Sequence, residues 1–172
     1  VASWTGFDFA NAQIDGQTVP ILLGSAGAGV SPPILSGHRL EANGQIVLGA
    51  ATLAQLHKQV GEIVTATYGT PKDFPVYVPP TKLLVVGTAT LPAVGTSGDL
   101  HTSMGIGALV PTSIEPPAFR KALTSPDPNE NGPDMIAVQL RKGVVPTAGR
   151  ASVQGIANAA TKIMAADPSE AG

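Results

Sequence analysis

Glycine and proline interrupt this sequence so often that long regular elements are excluded over most of its length. The 172 residues include 20 glycines and 16 prolines, about a fifth of the chain against roughly an eighth in average usage. Proline removes a backbone donor, and glycine weakens the interior of helices and strands. The length is that of one domain. The pattern therefore predicts an α+β fold, in which a mixed sheet has short helices packed against it.

Alternating and continuous apolar runs predict the strands of this sheet. Phe7 to Ile14 and Gln17 to Leu23 flank Asp15-Gly16, a dipeptide typical of the tight turn in a hairpin. A continuous apolar run without alternation predicts a central strand covered on both faces. The further predicted strands and the first predicted helix are Gln45 to Leu48, Glu62 to Tyr68, Lys82 to Thr90, Met135 to Leu140, and the helix Ala50 to His57.

The last segment predicts an amphipathic helix that packs on the sheet, with Thr147 as its N-cap. Its apolar side chains recur at helical spacing, and they are Val153, Ile156, Ala157, Ala160, Ile163 and Met164. We expect residues 1–165 to form a single domain and residues 166–172 to form a C-terminal linker. Because the sequence begins at Val1, without a methionine or a charged and apolar leader, we expect a processed product or an excised piece.

Charge and cysteine content exclude several classes of protein. The 10 basic and 12 acidic residues give a net charge of −2, so the clustered positive charge that binds nucleic acid is lacking. With no cysteine, neither a disulfide framework nor a thiolate zinc site can form. We therefore expect no cofactor and no nucleic-acid partner.

The motifs that carry chemistry are incomplete. His38, His57 and His101 share no metal-ligand spacing. Ser103 is followed by Gly105, but His101 stands where a nucleophile elbow has its first glycine. The glycines from Gly24 to Gly29 lack the spacing of a dinucleotide loop, and two prolines follow them. We therefore expect neither catalytic residues nor a metal site.

The segment from Pro92 to Gly107 is the predicted working surface, because it leaves the most apolar strand as a glycine-rich loop that mixes polar and apolar side chains. A connector without a partner would have the same length and glycine content, so the sequence leaves both interpretations open. The predicted partner-binding residues are Pro92, Gly95, Asp99, His101, Ser103 and Met104.

Several short motifs resemble the extracytoplasmic domain of FtsX-like ABC transporter permeases. They comprise Leu35 to Leu40, Gln45 to Gly49 with Leu53 and Leu56, and Val60 to Val64. The strand Leu84 to Ala89 with Pro92, and the later strand Ala137 to Gly143, are also similar to segments of that family. The resemblance covers roughly residues 34 to 165, and its motifs are structural. Glu62 stands where aspartate is common in the family.

The resemblance implies that this chain is an extracytoplasmic domain of a cytoplasmic-membrane protein and is not an enzyme. A cytoplasmic ATPase subunit would move the membrane helices, and the domain would act on a lipid, lipoprotein, peptide or cell-wall enzyme. A secreted or lipid-anchored hydrolase or binding protein is the alternative from another class, with Ser103 or His101 as its best chemistry.

Overall fold

A mixed sheet of eight strands with short helices forms the fold, as predicted. The computed structural model describes residues 1–92, 104–122 and 133–165. The strands are β1 (Ser3–Ile14), β2 (Gln17–Gly24), β3 (Ile34–Gly37), β4 (Gln45–Gly49), β5 (Ile63–Tyr68), β6 (Val78–Ala89), β7 (Ala108–Pro111) and β8 (Met135–Gln139). The α-helices are α1 (Ala50–Gln55), α2 (Pro117–Ala122) and α3 (Pro146–Ala165).

Six of the strands close into a barrel. Around the ring the order is β2, β7, β4, β6, β5 and β1, and β1 pairs back onto β2. The β2–β7 and β4–β6 pairs are parallel, whereas the other four pairs are antiparallel. Closure gives each of these strands a neighbour on both sides, which removes the exposed edges of an open sheet. Outside the ring, β8 lies next to β1 and β3 lies next to β6.

The barrel consists of two halves that interlock. Each half begins with an antiparallel pair, β1–β2 in the first and β5–β6 in the second. The next strand of the ring after each pair is inserted beside the other half, because β4 runs parallel to β6 and β7 runs parallel to β2. The two inserted strands then pair with each other at Val47↔Leu109 and Leu48↔Ala108.

The turn between β1 and β2 confirms the predicted hairpin. Asp15 has φ 47° and Gly16 has φ 82°, the two left-handed positions of a type I′ turn. Asp15 also fastens the turn to β5: its Oδ1 accepts the N–H of Thr65 at 2.8 Å, and its own N–H donates to the Thr65 carbonyl at 2.9 Å. Lys58 Nζ lies 3.4 Å from Asp15 Oδ2.

Two apolar clusters cover the two faces of the barrel wall. The interior cluster includes Ile14, Ile46, Leu48, Val64 and Val85. The outer cluster includes Phe7, Leu22, Leu40, Val47, Val86 and Leu91. Neighbouring residues of β6 therefore belong to different clusters, which confirms that this strand is covered on both faces, although Leu84 is 41% exposed.

A second compact unit comprises Val1–Trp4 and Val138–Gly172, whereas Thr5–Ala137 forms the barrel unit. Within the second unit, Ala2 N–H donates to the Gln139 carbonyl at 2.7 Å, and Ser3 Oγ lies 3.0 Å from Gln139 Oε1. Helix α3 begins at Pro146, so the prediction of Thr147 as its N-cap was wrong; proline is favoured in the first turn, where its missing N–H would be unpaired anyway.

The side chains that make up most of the predicted apolar stripe of α3 lie outside the described residues. Among those that are described, Val153 is partly buried. Within the described residues, no helix has the length and apolar character needed to cross a membrane.

Candidate functional site

The loop predicted as the working surface begins and ends at one point of the barrel unit. Gly105 N–H donates to the carbonyl of Leu91 at 3.2 Å, and Leu91 is buried in the outer cluster. Met104 projects from this point with 73% of its surface exposed. Pro92 and Met104 are thereby brought close together, whereas Gly95, Asp99, His101 and Ser103 lie outside the described residues.

The end of this loop is fastened to the beginning of helix α1. The N–H groups of Gly49 and Ala51 donate to the carbonyls of Gly107 and Gly105 at 2.9 and 3.1 Å. In return, Gly107 N–H donates to the buried Oγ1 of Thr52 at 2.8 Å. The first two bonds pair N–H groups that a helix N-terminus leaves without partners, and all three hold Met104 beside a rigid element.

Only glycine permits this close approach. A Cβ at Gly49 would collide with the carbonyl of Gly105, although the backbone of Gly49 is in an ordinary extended conformation, with φ −63° and ψ 145°. The requirement is therefore steric and does not arise from backbone strain. Gly49 ends one of the motifs on which the family resemblance rests.

A pocket opens where the β1–β5 seam of the barrel ends. The two strands pair at Gln13↔Thr67 and Ile14↔Ala66. Strand β5 then ends at Tyr68, and the chain turns away at Gly69, which has φ 66°. Strand β1 continues past this point, so a gap of about 430 Å³ opens beside its residues 9–12.

We call this gap the seam pocket. Its inner wall is the barrel interior, because Ala12, Ile21 and Leu23 belong to the interior cluster. Its outer wall is formed by the segment between β5 and β6, with the first residue of β6, and by residues 114–119, which lead into α2. The lining residues are Phe9, Ala10, Asn11, Ala12, Ile21, Leu23, Thr67, Tyr68, Val76, Val78, Ile114, Glu115, Pro116 and Phe119.

The walls of the seam pocket are apolar, and its polar groups are few. The Thr67 hydroxyl donates to the Val78 carbonyl at 2.8 Å, so it is already engaged. Asn11 and Tyr68 are partly exposed, and Tyr68 is 44% exposed. Among the described lining residues there is no lysine, arginine or histidine, and Glu115 supplies the one carboxyl group.

Two carboxyl groups interact near the middle of β1. Asp134 Oδ2 accepts the backbone N–H of Phe9 at 2.7 Å. Partial burial raises the pKa of Asp8, and the negative charge of Asp134 raises that pKa further, while a hydrogen bond with the Asp134 backbone opposes both effects. The pair lies next to Phe9, which lines the seam pocket. Among residues 1–92, 104–122 and 133–165, no group of three histidine, cysteine or acidic side chains could hold a metal ion.

The histidines that the structure describes lie apart. His38 is exposed, and its Nδ1 lies 3.0 Å from the Arg39 carbonyl oxygen and 4.0 Å from Glu41 Oε2. His57 is exposed at the end of α1, with φ 52°. Neither lines the seam pocket, and His101 lies outside the described residues.

Sequence reasoning missed the seam pocket. One signal for it exists: Ala10 and Ala12 are small residues at alternate positions of a strand that otherwise presents Phe7 and Ile14 to the cores. Small side chains at such positions leave space beside a barrel wall. The position at which β5 turns away from β1 has no comparable signal.

No protein-family model matches this sequence, and no curated protein matches it. The motifs quoted above nevertheless occupy neighbouring positions. Gly61 N–H donates to the Val85 carbonyl at 2.7 Å, and Val85 N–H donates to the Glu62 carbonyl at 2.8 Å. His38 N–H donates to the Val86 carbonyl at 2.9 Å.

Proposed function

We propose that this chain is the extracytoplasmic domain of an FtsX-like ABC transporter permease, in which it couples ATP hydrolysis on the cytoplasmic side to work outside the membrane. One observation carries the proposal. Motifs that are separated in the sequence and resemble that family form β3, β4, β5 and β6, and β6 pairs with each of the other three.

The residues of these motifs are those that the barrel needs. Ile46 and Leu48 of β4, Val64 of β5 and Val85 of β6 belong to the interior cluster. A Cβ at Gly87 would collide with the His38 carbonyl, which gives a physical reason for the glycine after the apolar run. A resemblance confined to surface positions would have given less support, because surface residues are not fixed by a fold.

The pairing of the first and last strands supports a mechanical role. Ala2 and Gln139 are joined by a backbone hydrogen bond, and Arg141 Nε donates to the Val1 carbonyl at 3.3 Å. A domain placed between two membrane helices receives motion through both of its ends. Because the N-terminal residues are bonded to the end of β8, a displacement of one is transmitted to the other, as hinge and shear movements require.

The partner-contacting surface of this proposal is the segment between Leu91 and Gly105. Its described end is held by α1 through Thr52, so force on the loop is transmitted to the barrel wall. The partner is a lipid, lipoprotein, peptide or cell-wall enzyme outside the membrane.

A secreted or lipid-anchored binding protein is the second candidate, and the seam pocket favours it. A concave apolar pocket with a few polar groups is the usual form of a small-molecule site. The two candidates differ in what is attached to the domain, which the full-length protein reveals.

A cysteine-labelling experiment on the full-length protein tests the proposal. This chain has no cysteine, so Ser36→Cys places the one thiol of these 172 residues on the exposed face of β3; cysteines elsewhere in the full-length protein are replaced by serine. We expect a membrane-impermeant maleimide to label it in intact cells, and an ATPase subunit to co-purify from detergent.

The matched control is Val64→Cys, whose side chain is 0% exposed and which should react only after denaturation. Labelling of Ser36→Cys only after cell lysis would contradict an extracytoplasmic position. Recovery of the protein without a membrane fraction or an ATPase would favour the binding protein.

A further inference from the structure

We propose that the seam pocket is a binding site for a small, uncharged, apolar molecule that carries one hydrogen-bonding group. This inference concerns the barrel unit itself and goes beyond the proposed function, because it holds whether or not membrane helices are attached. It rests on the size, the charge and the polar rim of the pocket.

The size of the pocket indicates a small-molecule ligand. Its volume of about 430 Å³ lies within the range of about 300 to 1,000 Å³ that is usual for ligand sites. Apolar cavities well below this size bind molecules such as benzene. The inner wall is fixed by the hairpin pairs Ala10↔Ile21 and Ala12↔Val19, so the pocket is preformed.

The charge of the walls selects against ionised ligands. A charged group that leaves water needs an opposite charge and hydrogen bonds in the site. No cationic side chain occurs among the described lining residues to offset that cost. A fatty acid or an organic sulfonate is therefore disfavoured relative to an alcohol, ester or aromatic amine of the same carbon skeleton.

The rim supplies the polar contact. Asn11 is a partly exposed residue of the lining, and its side chain makes no hydrogen bond to any residue that the structure describes. Its amide can donate and accept, and Tyr68, which is 44% exposed, is a second polar residue of the lining. A ligand would place its apolar body against Ile21 and Leu23 and its polar group beside Asn11.

Two dyes that share one carbon skeleton test the inference with the 172-residue chain. N-phenyl-naphthylamine is uncharged, and anilinonaphthalene sulfonate adds a negative charge to the same rings. We expect saturable fluorescence enhancement by the uncharged dye at one site per chain, and binding of the sulfonate at least about tenfold weaker, the factor that corresponds to ~1.4 kcal/mol.

Variants that fill the pocket locate the binding site. Val76→Trp acts from a turn outside the strands, and Ala10→Leu acts from the β1 wall. Each should weaken binding about tenfold or more, because the added side chain occupies space that the dye needs. The control is Ala54→Leu on the exposed side of α1, which should bind the dye as the unaltered chain does.

Circular dichroism shows which variants are folded, and sedimentation shows their oligomeric state. The test needs at least one pocket-filling variant that is folded. The inference is overturned by the absence of saturable binding, by equal binding of the sulfonate, or by unchanged binding in a folded Val76→Trp protein. A dimer that dissociates on Val76→Trp would also overturn it, since the pocket would then bind a second copy of the chain.

Discussion

Asp134 accepts the backbone N–H of Phe9 at 2.7 Å through its side-chain Oδ2, so a residue just before β8 is fastened to the middle of β1. The same contact brings a second carboxylate toward Asp8, the residue that precedes Phe9. Asp134 therefore accepts a backbone hydrogen bond and also alters the pKa of Asp8.

Replacing Asp134 by Asn should lower the pKa of Asp8. Asparagine keeps an oxygen that can accept the Phe9 N–H, but it removes the negative charge that disfavours ionisation of Asp8. Because burial is the larger cause of the raised pKa, the value should remain above the usual one. Titration of the Asp8 carboxyl carbon by NMR measures the change, and an unaltered or higher pKa would contradict the assigned coupling.

Asp8→Asn and Asp73→Asn should alter the pH dependence of stability in opposite directions. The pKa of Asp8 is raised in the folded protein, so its contribution is present below its unfolded pKa and is lost as the pH rises through the folded pKa. Asp8→Asn should therefore melt higher than wild type at neutral pH, and this gain should shrink in acid.

The pKa of Asp73 is lowered, chiefly by a hydrogen bond from the Thr70 backbone, which donates at 2.6 Å to Asp73 Oδ2. Its contribution is present above the unfolded pKa and is lost as the pH falls through the folded pKa. Asp73→Asn should therefore melt lower than wild type at neutral pH and approach it in acid. Melting curves from pH ~2 to ~7 check both variants; shifts of the same sign would refute the assignment.

Gly49→Ala should destabilise the barrel by about 2 to 4 kcal/mol, since the new Cβ meets the Gly105 carbonyl and three hydrogen bonds depend on that approach. Gly155→Ala is the matched control: nothing lies within 4 Å of its added Cβ, and in helix α3 alanine should gain up to about 1 kcal/mol. Urea unfolding compares them. If Gly49→Ala were as stable as the unaltered chain, the hydrogen bonds between the start of α1 and residues 105–107 would contribute little to stability.

Truncating the loop side chains should separate partner binding from folding. In the full-length protein, Asp99→Ala, His101→Ala and Met104→Ala together should leave expression and ATPase assembly intact and abolish export or partner activation. Retained activity would identify the loop as a connector. Hydrolysis of an ester or peptide by the chain, lost on Ser103→Ala, would instead establish an enzyme.

Local signals predicted part of this fold, and long-range pairing decided the rest. The Asp15-Gly16 turn was predictable because its conformation depends on two adjacent residues. Strand β7 was not, because Ala108–Pro111 is four residues long and becomes a strand through pairing with β2 and β4. Barrel closure has the same origin, and the seam pocket depends on where β5 turns away at Gly69, which no local pattern marks.

The interlocked halves of the barrel impose an order on folding during synthesis. Strand β2 lacks its second neighbour, and β4 lacks one of its two, until residues 108–111 have been made. Before that point the growing chain carries unpaired apolar strands such as Ile21–Leu23, which readily associate with other chains. A chain with this topology therefore exposes unpaired apolar strands until residues 108–111 have been synthesised and can pair with β2 and β4.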